Sequence, residues 1–334
     1  MKRRVIGILT CVAVVAVLVM GCGSKANDTN DSEDSGSKSS TEATADEGEK
    51  KQYKFGFTEW ASGSFFDACY DGVMSVVEEK GGEVIRIEGK TDSNIQLGVI
   101  EDFIAQGVDC VFYNPVDAEA ASPALQMLID AGIPVVNFDL AVADTDMVDA
   151  FVATDHYSAG QVAGEQILED YPDGAEIAIL DRTNDNAAAL RVQGLLDTIG
   201  DNFEVVARMD GGGKPETGLA ITEDILQANP DVVAIYCIND ECAQGAYSAI
   251  EAAGEDIGIY SANGGPESKA SILRDGEDGI WKCTAAQSPF TVGKESAEIA
   301  YKILEGEDFE KETLIPTFAI NAKNIEEYAG SDWQ

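Results

Sequence analysis

The chain has 334 residues, 45% of them hydrophobic, which is enough for packed cores. Its formal net charge is −39, with 61 acidic residues against 22 basic ones. Such an acidic balance argues against nucleic acid and anionic membrane surfaces as partners, although it identifies no ligand.

The first 22 residues read as an export signal. Lys2, Arg3 and Arg4 precede an almost unbroken apolar run from Val5 to Met20. The run is short for a membrane span and has the flanks of a signal peptide. Gly21 stands directly before Cys22 at its end, a pattern that resembles a bacterial lipobox, with Cys22 as the lipidated mature N-terminus. Losing this segment removes three basic residues and no acidic one, moving the net charge from −39 to −42. Residues 23–51 are polar, charged and without aromatics, and they read as a disordered acidic tether. A lipid and a tether hold the folded part near a membrane but off it, with stable anchoring requiring more than one acyl chain. About 280 residues remain, long for one core and natural for two lobes.

From Tyr53 onward, short apolar runs alternate with stretches of helical period. Lys54–Thr58 is a strand, followed by the polar loop Glu59-Trp60-Ala61-Ser62-Gly63. A helix over Ser64–Lys80 opens on Phe65-Phe66 and ends at Gly81-Gly82 as a C-cap. Strands follow at Glu83–Ile87, Cys110–Tyr113, Pro134–Phe138 and Ala150–Thr154, with helices at Ser93–Gln106 and Ala118–Ala131 between them. The cycle then restarts. Helices are expected at His156–Asp170, Ala187–Ile199, Glu216–Ala228, Cys242–Ala253, Glu267–Arg274 and Ser288–Leu304. Strands are expected at Glu176–Leu180, Phe203–Arg208, Val232–Cys237, Ile257–Tyr260 and Trp281–Ala286, with one late strand over Thr313–Ala319. Repeated βα units call for parallel sheets covered by helices, and two consecutive sets of them for two similar α/β lobes.

Of the seven cysteines, Cys11 goes with the signal and Cys22 with the lipid. Cys69, Cys110, Cys237, Cys242 and Cys283 show no paired spacing, so neither a disulfide framework nor a metal site is expected. The single histidine, His156, argues against His-based metal or triad chemistry.

Polar residues gather after the strands. Glu59, Trp60, Asn114 and Asp139 follow strands of the first set; Asp181, Asp185, Asn186, Arg191, Asn239, Asn263 and Gln287 follow strands of the second. Ligands of open α/β sheets bind beyond the carboxyl ends of strands. Asp accepts hydrogen bonds, Arg donates them, and Asn and Gln do both, which suits vicinal hydroxyls, while aromatic rings cover the C–H face of a sugar. Turn chemistry explains any one of these Asn and Asp residues equally well. A glycosidase using paired carboxylates, such as Asp139 with Asp181 or Asp185, is the enzymatic reading; no nucleophile motif supports it, and the chain is read as a non-enzyme without cofactor.

Over roughly residues 53–320 the chain resembles the periplasmic binding proteins of ribose and galactose uptake, of the type I fold. The resemblance rests on Phe65-Phe66 at a helix start, Asn114-Pro115-Val116-Asp117, and Ile133-Pro134-Val135-Val136-Asn137-Phe138-Asp139. It rests also on Arg191-Val192-Gln193-Gly194, Ile238-Asn239-Asp240-Glu241 and Ala286-Gln287-Ser288-Pro289. It implies two doubly wound parallel-sheet lobes joined by a multi-strand hinge, residues 52–154 with 288–314 and residues 155–287 with 315–330. It implies stacking by Phe66 with Trp60, beside Phe65, and hydrogen bonding by Asp139, Arg191, Asn239, Asn263 and Gln287. Asn114 and Asp185 complete the expected ligand-binding set. Leu140 stands where ribose binders usually have Arg, Asn263 where they have Asp, and Gly63 or Ser64 where they have Asn. An aldose, a sugar alcohol or a deoxy sugar is therefore open. The implied partner is an ABC-type permease, served by a monomeric, lipid-anchored protein on the outer face of the membrane. A sensor that presents a sugar or furanone to a membrane receptor would use the same cleft.

Overall fold

A computed structural model describes residues 51–183 and 185–331 together with Trp333. The expected signal peptide, the lipidated Cys22 and the tether up to residue 50 lie outside the described residues, as does Asn184 of the polar loop. Among the described residues, no helix is long and apolar enough to cross a membrane.

In chain order the first set is β1 (Lys54–Thr58), α1 (Ser64–Lys80), β2 (Glu83–Arg86), α2 (Ser93–Gln106), β3 (Cys110–Tyr113), α3 (Ser122–Ala131), β4 (Val135–Phe138) and β5 (Ala150–Thr154). The second begins with α4 (His156–Asp170), β6 (Glu176–Asp181), α5 (Asn186–Ile199), β7 (Glu204–Asp210), α6 (Pro215–Ala228), β8 (Ala234–Cys237) and α7 (Asp240–Ala253). It continues with β9 (Gly258–Asn263), α8 (Pro266–Asp275), β10 (Trp281–Ala286), α9 (Pro289–Glu305), β11 (Glu312–Ile315), β12 (Phe318–Asn321) and α10 (Ile325–Tyr328). These form two six-stranded sheets, ordered β11-β5-β4-β3-β1-β2 and β12-β10-β9-β8-β6-β7. The pairings are parallel except that β12 runs antiparallel to β10.

The single late strand expected over Thr313–Ala319 is two strands. β11 joins the first sheet beside β5 and β12 joins the second beside β10. Pro316 lies between them. It has no N–H to give a ladder, so the chain leaves one sheet there and enters the other. The short stretch conceals this, because strand-forming residues stand on both sides of the proline.

Each sheet buries its own core. Phe55 and Phe57 on β1, Phe112 on β3 and Phe138 on β4 are buried in the first, with Phe57 and Phe138 4.9 Å apart between ring centroids. The second is filled by aliphatics around Tyr236, Tyr260 and Trp281, whose indole N–H reaches Ser261 Oγ at 2.9 Å. Near-continuous apolar strands are what a sheet covered on both faces requires. α1 ends as its sequence suggests, with Gly81 at φ 77° and its N–H on the last carbonyls of the helix. The five described cysteines are all free and buried.

The chain passes between the sheets at three places that touch one another. After β5, α4 packs on α5, β9 and β10 of the second sheet; after β10, α9 packs on α1, β4 and β5 of the first; β11 to β12 is the third passage. The Asp155 N–H donates to the Ile315 carbonyl at 2.8 Å, Thr154 Oγ1 donates to Gln287 Oε1 at 3.0 Å, and the Ser158 and Thr317 hydroxyls are 2.8 Å apart. Three adjacent strands of this kind resist shear but permit a common bend.

One helix contact bears directly on the site. α4 and α5 meet through Gly160 and Gly194: a Cβ added at Gly160 would stand 1.8 Å from the Arg191 carbonyl oxygen, and one at Gly194 2.1 Å from the Tyr157 carbonyl oxygen. Gly160→Ala must therefore push α5 away from α4. An overpacked core costs roughly 1–3 kcal/mol. We expect a loss of about that size in urea unfolding, with weaker ligand binding because α5 carries Arg191. Gly98→Ala in α2 adds its Cβ to open space and serves as the control. Equal unfolding midpoints for the two variants would contradict the packing.

Candidate functional site

The carboxyl ends of the strands hold most of the expected residues. On the first side the loop after β1 places Trp60 39% exposed, its ring edge-on to Phe66 at 6.0 Å. Phe66 is itself buried and continuous with the core, 6.5 Å from Phe138 and 5.4 Å from Phe65. Trp60 is thus the ring with a face to offer, and Phe66 is its backing.

Asn114 is fully buried after β3 and acts as a brace. Its amide donates to the Phe138 carbonyl at 3.0 Å and to Asp139 Oδ2 at 3.2 Å, while its Oδ1 accepts from the Trp60 N–H at 3.3 Å. It sets the positions of two other candidates, Trp60 and Asp139. Asp139 has φ 60°, a left-handed conformation that Asp tolerates better than most side chains. Protein crowds its carboxyl on most sides. Burial pushes its pKa up to about 6, against the opposing pull of the Asn114 hydrogen bond and of Arg191.

The second side is a chain of hydrogen bonds that starts in the hinge. Thr154 holds Gln287, Gln287 Nε2 donates to Asn263 Oδ1 at 2.8 Å, and Arg191 Nη1 donates to the same Oδ1 at 3.3 Å and to the Ile238 carbonyl. Arg191 Nη2 approaches His156 Nδ1 at 3.4 Å. Burial, and then the Arg191 charge, lower the His156 pKa to about 3, so the ring is neutral and its Nδ1 accepts. Arg191 is 7% exposed, and its Nε has no partner in the protein. Burial also lowers its pKa, although Asp240 and Asp139 counter this. Among the described residues, no carboxylate lies within ion-pair distance of this guanidinium. Asn263, at φ 139°, also gives its amide to Glu241 at 3.3 Å.

Two expected residues are held elsewhere. Asp185 Oδ1 accepts from the Ala188 N–H and caps α5, and its carboxylate pairs with Arg182. Asn239 Oδ1 caps α7 through the Cys242 N–H at 3.0 Å, and its amide donates to the Gly213 carbonyl. Both have the turn chemistry that makes Asn and Asp common after strands. Asp181 is likewise engaged, binding Arg208 and the Arg182 N–H. A carboxylate pair free to act on a glycosidic bond is therefore not assembled from Asp139 with either of these residues.

Three groups take roles that the sequence names the residues for but does not show. His156 starts α4 beside Arg191, a proximity that spans 35 residues. Glu59 is 2% exposed and bound to Arg86 at 2.9 Å, with its other carboxyl oxygen unpartnered and its pKa raised by burial. Asp240 accepts from the hydroxyls of Ser261 (2.6 Å), Ser268 (2.6 Å) and Thr284 (2.8 Å) and from the Gly265 N–H (2.8 Å). It ties α7, β9, α8 and β10 together below Asn263. A buried carboxylate fully supplied with donors is a rigid support rather than a ligand group.

The described surface also has a groove of about 550 Å³ between α1 and α9, lined by Glu79, Lys80, Phe290, Lys294, Tyr301 and Lys302 among others. It shares no residue with the candidate set.

Residues 56–308 match the family described as periplasmic binding protein domain. The ribose import binding protein of Bacillus subtilis is 31% identical over 271 residues, covering 80% of this chain and 87% of that protein. The ribose import binding protein of Escherichia coli is 28% identical over 246 residues, covering 73% and 81%. A solved ABC transporter solute-binding protein of Bacillus halodurans, with bound myo-inositol, superposes with a TM-score of 0.73 at 26% identity, covering 85% of this chain and 99% of that one. A D-allose-bound solute-binding protein of Actinobacillus succinogenes superposes at 0.74 with 21% identity, covering 83% and 100%, which is a likeness of fold.

Proposed function

The chain belongs to the periplasmic binding protein family, and on that premise we propose that it captures a monosaccharide or related polyol between its two sheets and delivers it to an ABC-type permease. It works outside the cytoplasm. It binds and releases its ligand unchanged.

One observation carries the reading. The buried Arg191 has an unused Nε and, among the described residues, no carboxylate in ion-pair distance, while its charge and that of Asp139 act on each other. A buried donor without an acceptor is costly and is rarely kept without use. Arg191 and Gln287 supply donors and Asp139 an acceptor, an arrangement that fits neighbouring hydroxyls. Trp60 supplies a ring face for the C–H side of the same ligand. Leu140, 43% exposed directly after Asp139, is an apolar neighbour in place of a further donor. It favours a ligand with one less polar edge, such as a deoxy sugar, over one hydroxylated all round, such as a cyclitol. Phe66 and Phe65 back the ring, Asn114 braces Asp139, and Asn239 and Asp185 shape the loops from the second side.

The lobes are taken as residues 52–154 with 288–314 and residues 155–287 with 315–330, closing as a monomer about the hinge. The test is a thermal-shift panel of D-ribose, D-allose, L-arabinose, myo-inositol and glycerol. A ligand present at about 100 times its Kd adds roughly 2.7 kcal/mol to stability, a shift readily seen. If no member of the panel or of a wider set of aldoses and polyols moves the transition, the reading fails.

We also propose that Cys22 is lipidated and tethers the folded part to the outer face of the membrane, on the strength of the lipobox-like Gly21-Cys22 after the apolar run. Cells fed an alkyne fatty acid should label the protein, and Cys22→Ala should lose the label and release the protein from the membrane fraction. Equal labelling of the two would contradict the anchor.

A further inference from the structure

We propose that the segment after α10 is a working part of the cleft: Trp333 bridges the two lobes at its mouth and raises the population of the closed form. The proposal rests on the reading that the ligand is held between the lobes, and it goes beyond that reading by assigning a cross-lobe clasp to a residue that follows the last sheet strand.

The segment belongs to the second lobe. α10 packs on α8 and β12. Lys269 on α8 is only 3% exposed, and its ammonium donates to the Ser331 carbonyl. A buried ammonium on a backbone carbonyl anchors Ser331 to α8. Two residues later Trp333 touches the first lobe. Its indole N–H donates to Ser64 Oγ at 3.1 Å, and its ring stands edge-on to Phe65, 5.5 Å between centroids at 89°. Ser64 and Phe65 are the first two residues of α1, next to Phe66.

The other side of the indole faces the second lobe's own site loop. A Cβ added at Gly265 would stand 3.9 Å from Trp333 Cη2. Gly265 is two residues beyond Asn263, and Asp240 holds its N–H at 2.8 Å. The indole thus lies between the loop that presents Phe65 and Phe66 and the loop that presents Asn263. Both features of a tryptophan are used here, the N–H on a hydroxyl and the ring on a ring.

The consequence is a differential free energy. When the lobes rotate apart, the Lys269–Ser331 anchor stays intact because both partners are in one lobe. The contacts with Ser64 and Phe65 must break. Groups that touch only in one state bias the equilibrium toward it. An edge-to-face pair and one hydrogen bond together correspond to roughly a tenfold shift in population. Where the open form dominates, apparent affinity falls by the same factor once the clasp is removed.

The experiment is hydrogen exchange by mass spectrometry on the full chain without ligand, for wild type, Trp333→Ala and Trp333→Phe. Peptides spanning residues 139–143 and 185–191 lie on the two sides of the cleft, away from Trp333 in sequence. Their faster exchange in Trp333→Ala, multiplied by its loss of sugar affinity in the second arm, should come to about tenfold, with Trp333→Phe between, since it keeps the ring pair and loses the N–H. A change confined to residues 62–68 and 263–267, or no change at all, together with an unchanged sugar affinity, would show a local packing role and overturn the clasp. The second arm titrates D-ribose, D-allose and myo-inositol. If none of these binds while the exchange result holds, the sugar reading fails and the clasp stands. If a sugar binds with the same affinity to wild type and Trp333→Ala and the cleft peptides exchange alike in both, the clasp fails and the sugar reading stands.

Discussion

Arg191→Ala is expected to weaken ligand binding by a factor of about 30 to more than 1,000, from the roughly 2–5 kcal/mol that truncating one partner of a buried charged hydrogen bond costs. The guanidinium is 7% exposed and already spends donors on the Ile238 carbonyl, Asn263 and His156. Of its five N–H groups, one on Nη2 and the one on Nε remain, and Nε is buried and unpartnered. In the unliganded protein this arrangement is a cost, because burial works against the charge. The same variant should therefore lose far more affinity than stability. Arg191→Lys should not rescue it. A lysine ammonium is a point charge that cannot hold three separate acceptors in the fixed fork that a guanidinium provides. Calorimetry is the measurement. An Arg191→Ala protein within threefold of wild-type affinity would remove Arg191 from the site. A protein that loses stability in proportion to affinity would make Arg191 a structural residue.

The second large effect is a pH dependence that belongs to Asp139. Its pKa is raised to about 6, with burial as the main cause. Below that pH the unliganded carboxyl is mostly protonated and accepts poorly. Ligand hydroxyls that donate to it stabilise the ionised form and lower its pKa in the complex, so binding releases a proton. Affinity should thus be flat above about pH 7 and weaken by up to about tenfold for each pH unit below 6. Asp139→Asn should bind weakly and show no slope. A wild-type Kd constant from pH 5 to 8 would contradict the assignment.

Stability is a poor reporter of the same group. Asp139 and Asp240 both rise to about 6 in the folded state, so between pH 4 and 6 the native state holds more protons than the unfolded chain. Their contribution therefore falls as pH rises through that window. His156 does the reverse. It is held at about 3, below its ordinary 6.5, so the unfolded chain takes up the proton first. Its contribution is full above pH 6.5 and is lost as pH falls from there. The two trends oppose each other, and only the affinity isolates Asp139.

The alternation of apolar strands and helical stretches made the two βα sets readable in the sequence, because parallel strands covered on both faces leave an unbroken apolar signature. The split of Thr313–Ala319 into β11 and β12 was not readable from period alone, although Pro316 marks the break. The candidate site was legible as residue types at the ends of strands. Which of them are tied up in helix caps was not. Asn239 and Asp185 look in sequence like Asn263 and Asp139, and only the folded chain shows that the first two cap helices while Asn263 binds Arg191 and Gln287. His156, Glu59 and Trp333 take their roles from contacts 35, 27 and 269 residues away, which no local pattern encodes.

The central claim is that groups from both sheets grip one polyol at the same time. The most direct measurement is a calorimetric titration of the tightest-binding sugar into wild type and into the Arg191→Ala, Asp139→Asn double variant at pH 7.5. The account predicts one site per chain in wild type and no detectable heat of binding in a double variant that still unfolds cooperatively. Retention of binding within threefold in the double variant would contradict it.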